Sequence, residues 1–121
     1  MLKRATRSYF LALRASARFG RAVKLRDDGK LADAIRVGRE ALAILGHPHV
    51  VRSNPAEAAV LCSATVLVEG LAHELNITGA APRDIVDALQ AIRSIGPDGE
   101  FAEWVPYLEQ RASEIGRDNV A

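Results

Sequence analysis

The chain has 121 residues, of which 49% are hydrophobic and 26% charged; this composition argues against intrinsic disorder and predicts a single folded domain. Only 5% of the residues are aromatic, so we expect a core built from Ala, Leu, Val and Ile. The single cysteine, Cys62, excludes an internal disulfide and is compatible with a reducing compartment.

The charge is unevenly distributed along the chain. The net charge is +1, but residues 1–52 carry twelve Lys and Arg residues against four acidic ones, a balance of +8. The remaining residues carry four Arg and eleven acidic residues, a balance of −7. Residues 1–26 hold eight basic side chains and no acidic one, which is typical of a targeting signal or of a segment that meets an acidic partner.

The first predicted helix runs from about Lys3 to Asp27 and is amphipathic. Its apolar stripe, which we expect to face the core, is formed by Leu2, Ala5, Tyr9, Ala12, Leu13, Ser16, Phe19 and Val23. On the opposite side gather the candidate partner-binding residues Arg4, Arg7, Arg14, Arg18 and Arg21.

The composition of this helix is compatible with several roles. An acid-free, Arg-rich, Ser-bearing amphipathic N-terminus has the composition of a mitochondrial transit peptide. A plain bundle helix with a solvated basic face shows the same pattern, and so does a surface that binds nucleic acid, anionic lipid or an acidic protein. A secretory signal is disfavoured because arginines interrupt any apolar stretch.

The second predicted helix, Leu31 to Leu45, is the element around which the chain is organised. Its apolar residues recur at helical spacing: Leu31, Ala34, Ile35, Gly38, Ala41, Leu42 and Leu45. The tight turn at residues 27–30 forces this helix to lie antiparallel to the first. The sequence therefore predicts a helical hairpin with further helices packed on it.

Two more helices are predicted after the hairpin. Asn54 as N-cap and Pro55 at the first position start a third helix that ends near Leu75. It is apolar nearly all round, so we expect it to be the central helix; its glutamates leave too short an uncharged run for a membrane span. A fourth helix is predicted from Pro82 to Ile95.

The last predicted helix contains Pro106 within an apolar stripe. Because proline removes a backbone donor, we expect a kink there or a restart of the helix near Trp104. We expect Trp104 in the core and Tyr107 at an interface with a partner. Residues 1–116 then form a single all-α domain of about five helices in successive antiparallel hairpins, followed by a frayed tail at 117–121.

The hairpin from Ala22 to Pro48 resembles one tetratricopeptide repeat. The positions that match the packing residues of that family are Ala22, Leu25, Gly29, Leu31, Ala34, Ala41 and Leu42. The pattern departs at Gly38, where the family prefers a large residue, and the closing proline is displaced to Pro48. Stacked repeats of this kind are protein-binding scaffolds, so the resemblance implies an interaction role.

The first helix also resembles the start of LYR-motif proteins, which are small three-helix mitochondrial subunits and assembly factors that often bind acyl carrier protein. The matching positions are Tyr9, Leu13, Arg14, Arg18 and Phe19. Ser8 and Phe10 stand where the family has its Leu and Arg. This resemblance implies that the basic face meets an acidic carrier protein.

No set of residues predicts catalysis or metal binding. His47 and His49 share one loop, but Cys62 and His73 are about three helical turns apart and cannot meet at one ion. We expect Cys62 to be an inert buried thiol with a raised pKa. The chain carries no glycine-rich phosphate loop and no nucleophile signature. The sequence therefore predicts no enzyme, no cofactor and no metal site.

These observations together predict a non-enzymatic helical interaction subunit or adaptor, an accessory subunit of a mitochondrial multiprotein assembly of the respiratory-complex or ATP-synthase type. We expect other protein subunits as partners, with an acidic surface or a second copy of the chain among them, and no transmembrane span. Two alternatives stay open. One is a tetratricopeptide-repeat-like (TPR-like) interaction domain of the bacterial cytoplasm. The other is a nucleic-acid-binding protein, for example a ribosome-associated one, that binds through the basic first helix.

Overall fold

The computed structural model describes the backbone of residues 2–46, 55–95 and 101–120 and the side chains of residues 10–46, 56–93 and 101–114. The described part is all-α, as predicted, and five helices pack against one another. The helices are α1 (Leu2–Asp27), α2 (Leu31–Leu45), α3 (Pro55–Leu75), α4 (Pro82–Ile95) and α5 (Val105–Val120). The predicted N-cap Asn54, residues 47–53 and residues 96–100 lie outside the described residues, as do the side chains of Leu2, Ala5 and Tyr9 from the predicted stripe.

Helices α1 and α2 form the predicted antiparallel hairpin. The turn between them is closed by backbone hydrogen bonds from Lys30 N–H to Leu25 O at 2.9 Å and from Gly29 N–H to Arg26 O at 3.0 Å. This hydrogen-bond pattern requires a residue in the left-handed backbone conformation after the helix, and Gly29 adopts that conformation with φ +81°. The 27–30 turn predicted from the sequence is thus a helix end followed directly by a new helix.

The face of α1 that meets the core differs from the predicted stripe. Ala15 and Ala22 are fully buried, and Leu11, Phe19, Val23 and Leu25 lie partly buried against the same core. Leu13 and Ser16, predicted to face inward, are exposed. The buried face is therefore turned toward the arginine side by roughly a quarter of a helical turn. The two fully buried residues of this face are alanines, whose small side chains allow close helix packing, and α1 packs mainly on α2.

Helix α3 is the central helix, as predicted. Its buried residues include Leu61, Cys62, Ala64 and Val68. It crosses α2 closely, since a Cβ atom added at Gly38 would lie 2.7 Å from the Cγ2 atom of Val68. The large residue that the tetratricopeptide pattern prefers at this position would therefore collide with α3.

Among the residues that the structure describes, one helical stretch, Ala56–Leu75, is by length and composition long and apolar enough to cross a membrane. More than half of that stretch is buried inside the fold. The core helix of a water-soluble bundle passes the same test of length and hydropathy.

Helices α4 and α5 complete the bundle. The apolar residues of α4 that recur at helical spacing are buried: Ile85, Ala88, Leu89 and Ile92. A short 3-10 helix, Ala102–Trp104, precedes α5, so the predicted restart near Trp104 is confirmed and Pro106 occupies the first turn of α5, where its missing N–H is tolerated. Leu108 anchors α5 in the core with no exposed surface. The backbone of α5 is helical through Val120, beyond the point where the sequence analysis placed a tail.

Candidate interaction surfaces

The first candidate surface is the side of α1 that points away from the bundle. We call it the outer face of α1; it consists of Phe10, Leu13, Arg14, Ala17, Gly20, Arg21 and Lys24. Two large apolar side chains on it are strongly exposed, Phe10 at 57% and Leu13 at 50%. A Cβ atom added at Gly20 would meet nothing within 4 Å, so the middle of the face is open.

The predicted partner-binding arginines are distributed over this face and its flank. Arg14 and Arg21 are exposed on the outer face itself. Arg18 lies at the flank, where its Nη1 atom is 3.7 Å from Oε2 of Glu40 on α2. Such an exposed pair contributes little stability, so Arg18 is held only loosely. Arg4 and Arg7 lie in the N-terminal part of α1, where the structure describes the backbone but not the side chains.

The second candidate surface is an open groove of about 1010 Å³ between the C-terminal part of α3 and α5. We call it the α3–α5 groove. Its main lining residues are Glu69, His73, Ile77, Trp104, Tyr107 and Arg111. Ile77 is 51% exposed, so the groove presents apolar surface beside its polar groups.

A buried carboxylate forms the floor of this groove. Glu69 is only 2% exposed, and its Oε1 atom accepts a hydrogen bond from Ala80 N–H at 2.7 Å. Its Oε2 atom accepts from the Tyr107 hydroxyl at 3.0 Å and from Arg111 Nε at 3.2 Å. We call these four residues the Glu69 cluster. Because a buried charge is tolerated only when it is paired and hydrogen-bonded, the cluster ties α3, the segment before α4 and α5 together.

The segment between α3 and α4 is shaped around Glu69. A Cβ atom added at Gly79 would overlap Oε1 of Glu69 and lie 2.9 Å from its Cδ atom, so this position requires glycine. From the other side, the Arg39 Nη2 atom on α2 donates to the carbonyl oxygens of Thr78 and Gly79, the latter at 3.1 Å. Asn76 ends α3 with a positive φ of 55°. The segment is thus held by side chains from two helices.

Tyr107, predicted to lie at an interface with a partner, is half-buried in the groove. Its hydroxyl is bonded to Glu69, and its ring meets the ring of Trp104 edge-on, with centroids 6.1 Å apart and an interplanar angle of 89°. Burial raises the pKa of the Tyr107 hydroxyl, and the neighbouring Glu69 carboxylate raises it further. Trp104, predicted in the core, is partly buried against it.

Glu69, Arg111 and Arg39 were not predicted from the sequence to organise this region. From the sequence, Glu69 is only one of the charges that interrupt the apolar run of α3. A lone acidic residue inside an otherwise apolar helix does predict a buried partner, but the partner cannot be named until the packing of α5 is known.

Cys62 is fully buried in α3, and its Sγ atom lies 3.7 Å from the carbonyl oxygen of Ala88. Burial raises the pKa of the Cys62 thiol to about 11. The predicted burial of Cys62 and the raised pKa of its thiol are therefore confirmed, and its inertness stays a prediction. Among the side chains that the structure describes, no three His, Cys, Asp or Glu residues converge on a common point; His47 and His49 lie outside them.

Comparisons with known proteins give no relative. No family model matches the chain, and no curated protein or solved structure is significantly similar to it. The resemblances to tetratricopeptide repeats and LYR-motif proteins therefore rest on their short residue patterns alone.

Proposed function

We propose that the protein is a non-enzymatic helical interaction subunit or adaptor that docks on another protein through the outer face of α1. One observation carries this proposal. Phe10 and Leu13 are at least half exposed on a face that also bears Arg14, Arg21 and Lys24. Aromatic residues and arginine are the types enriched at protein interfaces.

The energetics support a docking role for this face. Burying the exposed halves of Phe10 and Leu13 contributes about 2–3 kcal/mol in total, on the order of half the value for fully burying two such side chains. The basic residues around them add little affinity, but they steer an acidic partner and orient it.

The polar groups of the α3–α5 groove support a structural role for the buried carboxylate. Glu69 accepts hydrogen bonds from Ala80, Tyr107 and Arg111 of its own chain. A general base needs a lone pair directed at a substrate proton, whereas both oxygens of this carboxylate are already engaged. These contacts support the proposal of a binding role, in which Glu69 acts as a structural residue.

The location and the assembly belong to the same proposal. The eight basic and no acidic residues within 1–26 support a mitochondrial accessory subunit, in an assembly of the respiratory-complex or ATP-synthase type. A TPR-like domain of the bacterial cytoplasm would dock through the same face. A nucleic-acid partner would contact the basic residues of this face but not its apolar residues.

The test is a comparison of two double variants purified in parallel with the wild-type protein from its own organism. Phe10→Ser with Leu13→Ser removes the exposed apolar groups of the outer face. Val86→Ser with Leu75→Ser removes exposed apolar groups outside both candidate surfaces, since Val86 is 42% exposed, Leu75 is 38% exposed and neither lines the groove. Mass spectrometry of co-purifying chains and of the protein's own N-terminus is the measurement.

We expect stoichiometric mitochondrial protein partners with the wild type and with the control, and their loss with the α1 variant. Partners retained by the α1 variant would refute the docking face. Co-purification that disappears after nuclease treatment would replace the proposal by a nucleic-acid-binding function, because phosphate contacts would then carry the affinity.

A further inference from the structure

We infer that the partner element which docks on the outer face of α1 is an acidic amphipathic helix, laid along α1 in coiled-coil register. The inference rests on the proposed function, because it uses the same docking face, and it adds the secondary structure and the charge of what binds there. It is carried by the spacing of the exposed residues, the small side chains among them and the position of the cations.

The exposed strip of α1 has the spacing of a coiled-coil seam. Its residues follow one another at alternating intervals of three and four, and we call them the seam: Phe10, Leu13, Ala17, Gly20 and Lys24. All of them are exposed, and these intervals are those of the a and d positions of a heptad. The fully buried Ala15 and Ala22 occupy the f position, on the opposite side of the helix. The seam therefore faces away from the bundle, and it runs for roughly 21 Å at 1.5 Å per residue.

The middle of the seam is small, which favours a helix as the occupant. Ala17 carries only a methyl group, and a Cβ atom added at Gly20 would meet nothing within 4 Å. Small residues on a helix surface allow the backbone of a second helix to approach closely. Phe10 and Leu13 supply the apolar surface that such a helix covers. A lipid surface, in contrast, binds in proportion to the apolar area it buries, and this seam offers it only two large apolar side chains.

The cations lie along one flank of the seam. Arg14 and Arg21 each follow a d position directly, which places them at e, one heptad or roughly 10 Å apart. We call them the e flank. Among the side chains that the structure describes, neither forms an ion pair. The described residues of the other flank, Ser16 and Val23, are uncharged.

These positions determine the charge of the partner helix. In a coiled coil, residues at e and g pair with charges on the facing helix and set its identity. Arg18 is already opposed by Glu40, with Nη1 and Oε2 3.7 Å apart, so the e flank is what a partner meets. A second α1 helix is unsuitable, because residues 1–26 hold eight basic side chains and no acidic one. The partner therefore carries carboxylates one heptad apart on the side that faces Arg14 and Arg21.

The experiment measures the binding of three designed peptides, each three heptads long, to the purified protein. The acidic peptide has Leu at a, Ala at d and Glu at e and g. The lysine peptide has Lys in place of every Glu. The proline peptide is the acidic peptide with one central proline, which disrupts the helix without changing the charge. Isothermal titration calorimetry at physiological ionic strength gives each affinity.

Two protein variants carry the same change of charge in different places. Arg14→Glu with Arg21→Glu reverses the charge of the e flank. Lys30→Glu with Arg93→Glu is the matched control, because both side chains are exposed and lie in the turn before α2 and on α4, away from the seam. Circular dichroism confirms that every variant is folded.

We expect the acidic peptide to bind the wild type and the control at least about tenfold more tightly than the e-flank variant. The lysine peptide is expected to show the reverse order and to bind the e-flank variant best. The proline peptide is expected to bind the wild type at least about tenfold more weakly than the acidic peptide, since it cannot lie along the seam as a helix.

A wild type that does not bind the acidic peptide at about 1 mM would overturn the inference. Equal binding of the acidic and proline peptides would also overturn it, since charge alone would then carry the contact, and so would equal affinities of the wild type and the e-flank variant. Co-sedimentation with vesicles of phosphatidylserine and phosphatidylcholine is measured in parallel. Binding to these vesicles but not to the acidic peptide would replace the partner helix by an anionic membrane surface.

These outcomes are distinguishable from a failure of the proposed function. Each of them leaves the adaptor proposal standing if the Phe10→Ser, Leu13→Ser variant loses its native protein partners. Conversely, a protein that binds the acidic peptide as expected but yields no native partner would refute the adaptor proposal and leave the seam as a helix-binding surface.

Discussion

The Tyr107 hydroxyl donates a hydrogen bond to Oε2 of Glu69 at 3.0 Å, across a separation of 38 residues in the chain. Glu69 lies on the central helix and Tyr107 on the last one, so this bond fixes α5 on the bundle. Leu108 supplies the apolar part of the same attachment. The position of α5, and with it the α3–α5 groove, thus depends in part on one buried carboxylate.

The Glu69 cluster leads to a prediction on stability. Glu69→Gln keeps the shape of the side chain but removes the charge that Arg111 and Tyr107 face, and we expect it to lower the free energy of unfolding by about 2 kcal/mol. Tyr107→Phe removes one donor and is expected to cost about 1 kcal/mol. Urea denaturation of both single variants and the double variant measures the coupling. Strictly additive losses would contradict a shared cluster.

A second prediction concerns two glycines in opposite surroundings. Gly79→Ala forces a methyl group onto the Glu69 carboxylate, and we expect it to lower the free energy of unfolding by about 1–3 kcal/mol. Gly20→Ala meets nothing within 4 Å and lies in a helix, so it is expected to raise the free energy of unfolding by about 0.5–1 kcal/mol. Thermal melts distinguish the two signs. If both substitutions changed the free energy of unfolding equally, the segment before α4 would accommodate a methyl group at residue 79 without loss of stability.

The buried face of α1 gives a third prediction. Ala15 is fully buried in the core, and Ser16 beside it is exposed. Ala15→Leu overpacks the core and is expected to cost about 1–3 kcal/mol of unfolding free energy. Ser16→Leu is expected to change it by less than about 0.5 kcal/mol, because surface substitutions away from special features do little. If Ser16→Leu were more destabilising than Ala15→Leu, the stripe predicted from the sequence would be the face of α1 that meets the core.

The thiol of Cys62 gives a fourth prediction, on pH. Its pKa is about 11 in the fold against the ordinary value of 9.0, since burial disfavours the thiolate. Between pH of about 9 and 11 the folded state therefore binds more protons than the unfolded state, and stability falls as the pH rises through this window. The loss from this group is on the order of 2–3 kcal/mol.

The measurement for this prediction is the free energy of unfolding of wild type and Cys62→Ala at several pH values. The wild type is expected to lose more stability than the variant between neutral and alkaline pH. In addition, a thiol reagent at pH 8 is expected to modify Cys62 only as fast as the protein opens. Immediate modification of the folded protein would mean that the thiol is accessible.

The helices themselves follow from local signals, and the bounds of α1 to α4 could be predicted within a residue or two, whereas the end of α5 could not. Proline at the first position of α3 and α4 and the periodic apolar residues of α2 depend only on near neighbours in the chain. These signals act without knowledge of the tertiary structure.

The orientation of α1 and the Glu69 cluster could not be predicted in this way. On the helical wheel of α1, the apolar stripe through Leu13 is broader than the part that α2 and α3 cover. Which edge turns inward is decided by close contact at Ala15 and Ala22, which is a property of the pair of helices. The bond from Tyr107 to Glu69 likewise exists only once α5 has docked.

The order of packing has a further consequence for how the chain acquires its structure. The helices pack mainly on their neighbours in the chain, α1 on α2, α2 on α3, α3 on α4 and α4 on α5. Such a low contact order favours rapid folding, and a domain made on the ribosome folds from its N-terminal side. We expect the α1–α2 hairpin to form while α5 is still being synthesised. Its outer face, with Phe10 and Leu13, is then exposed to a chaperone or a partner before the groove on the same molecule exists.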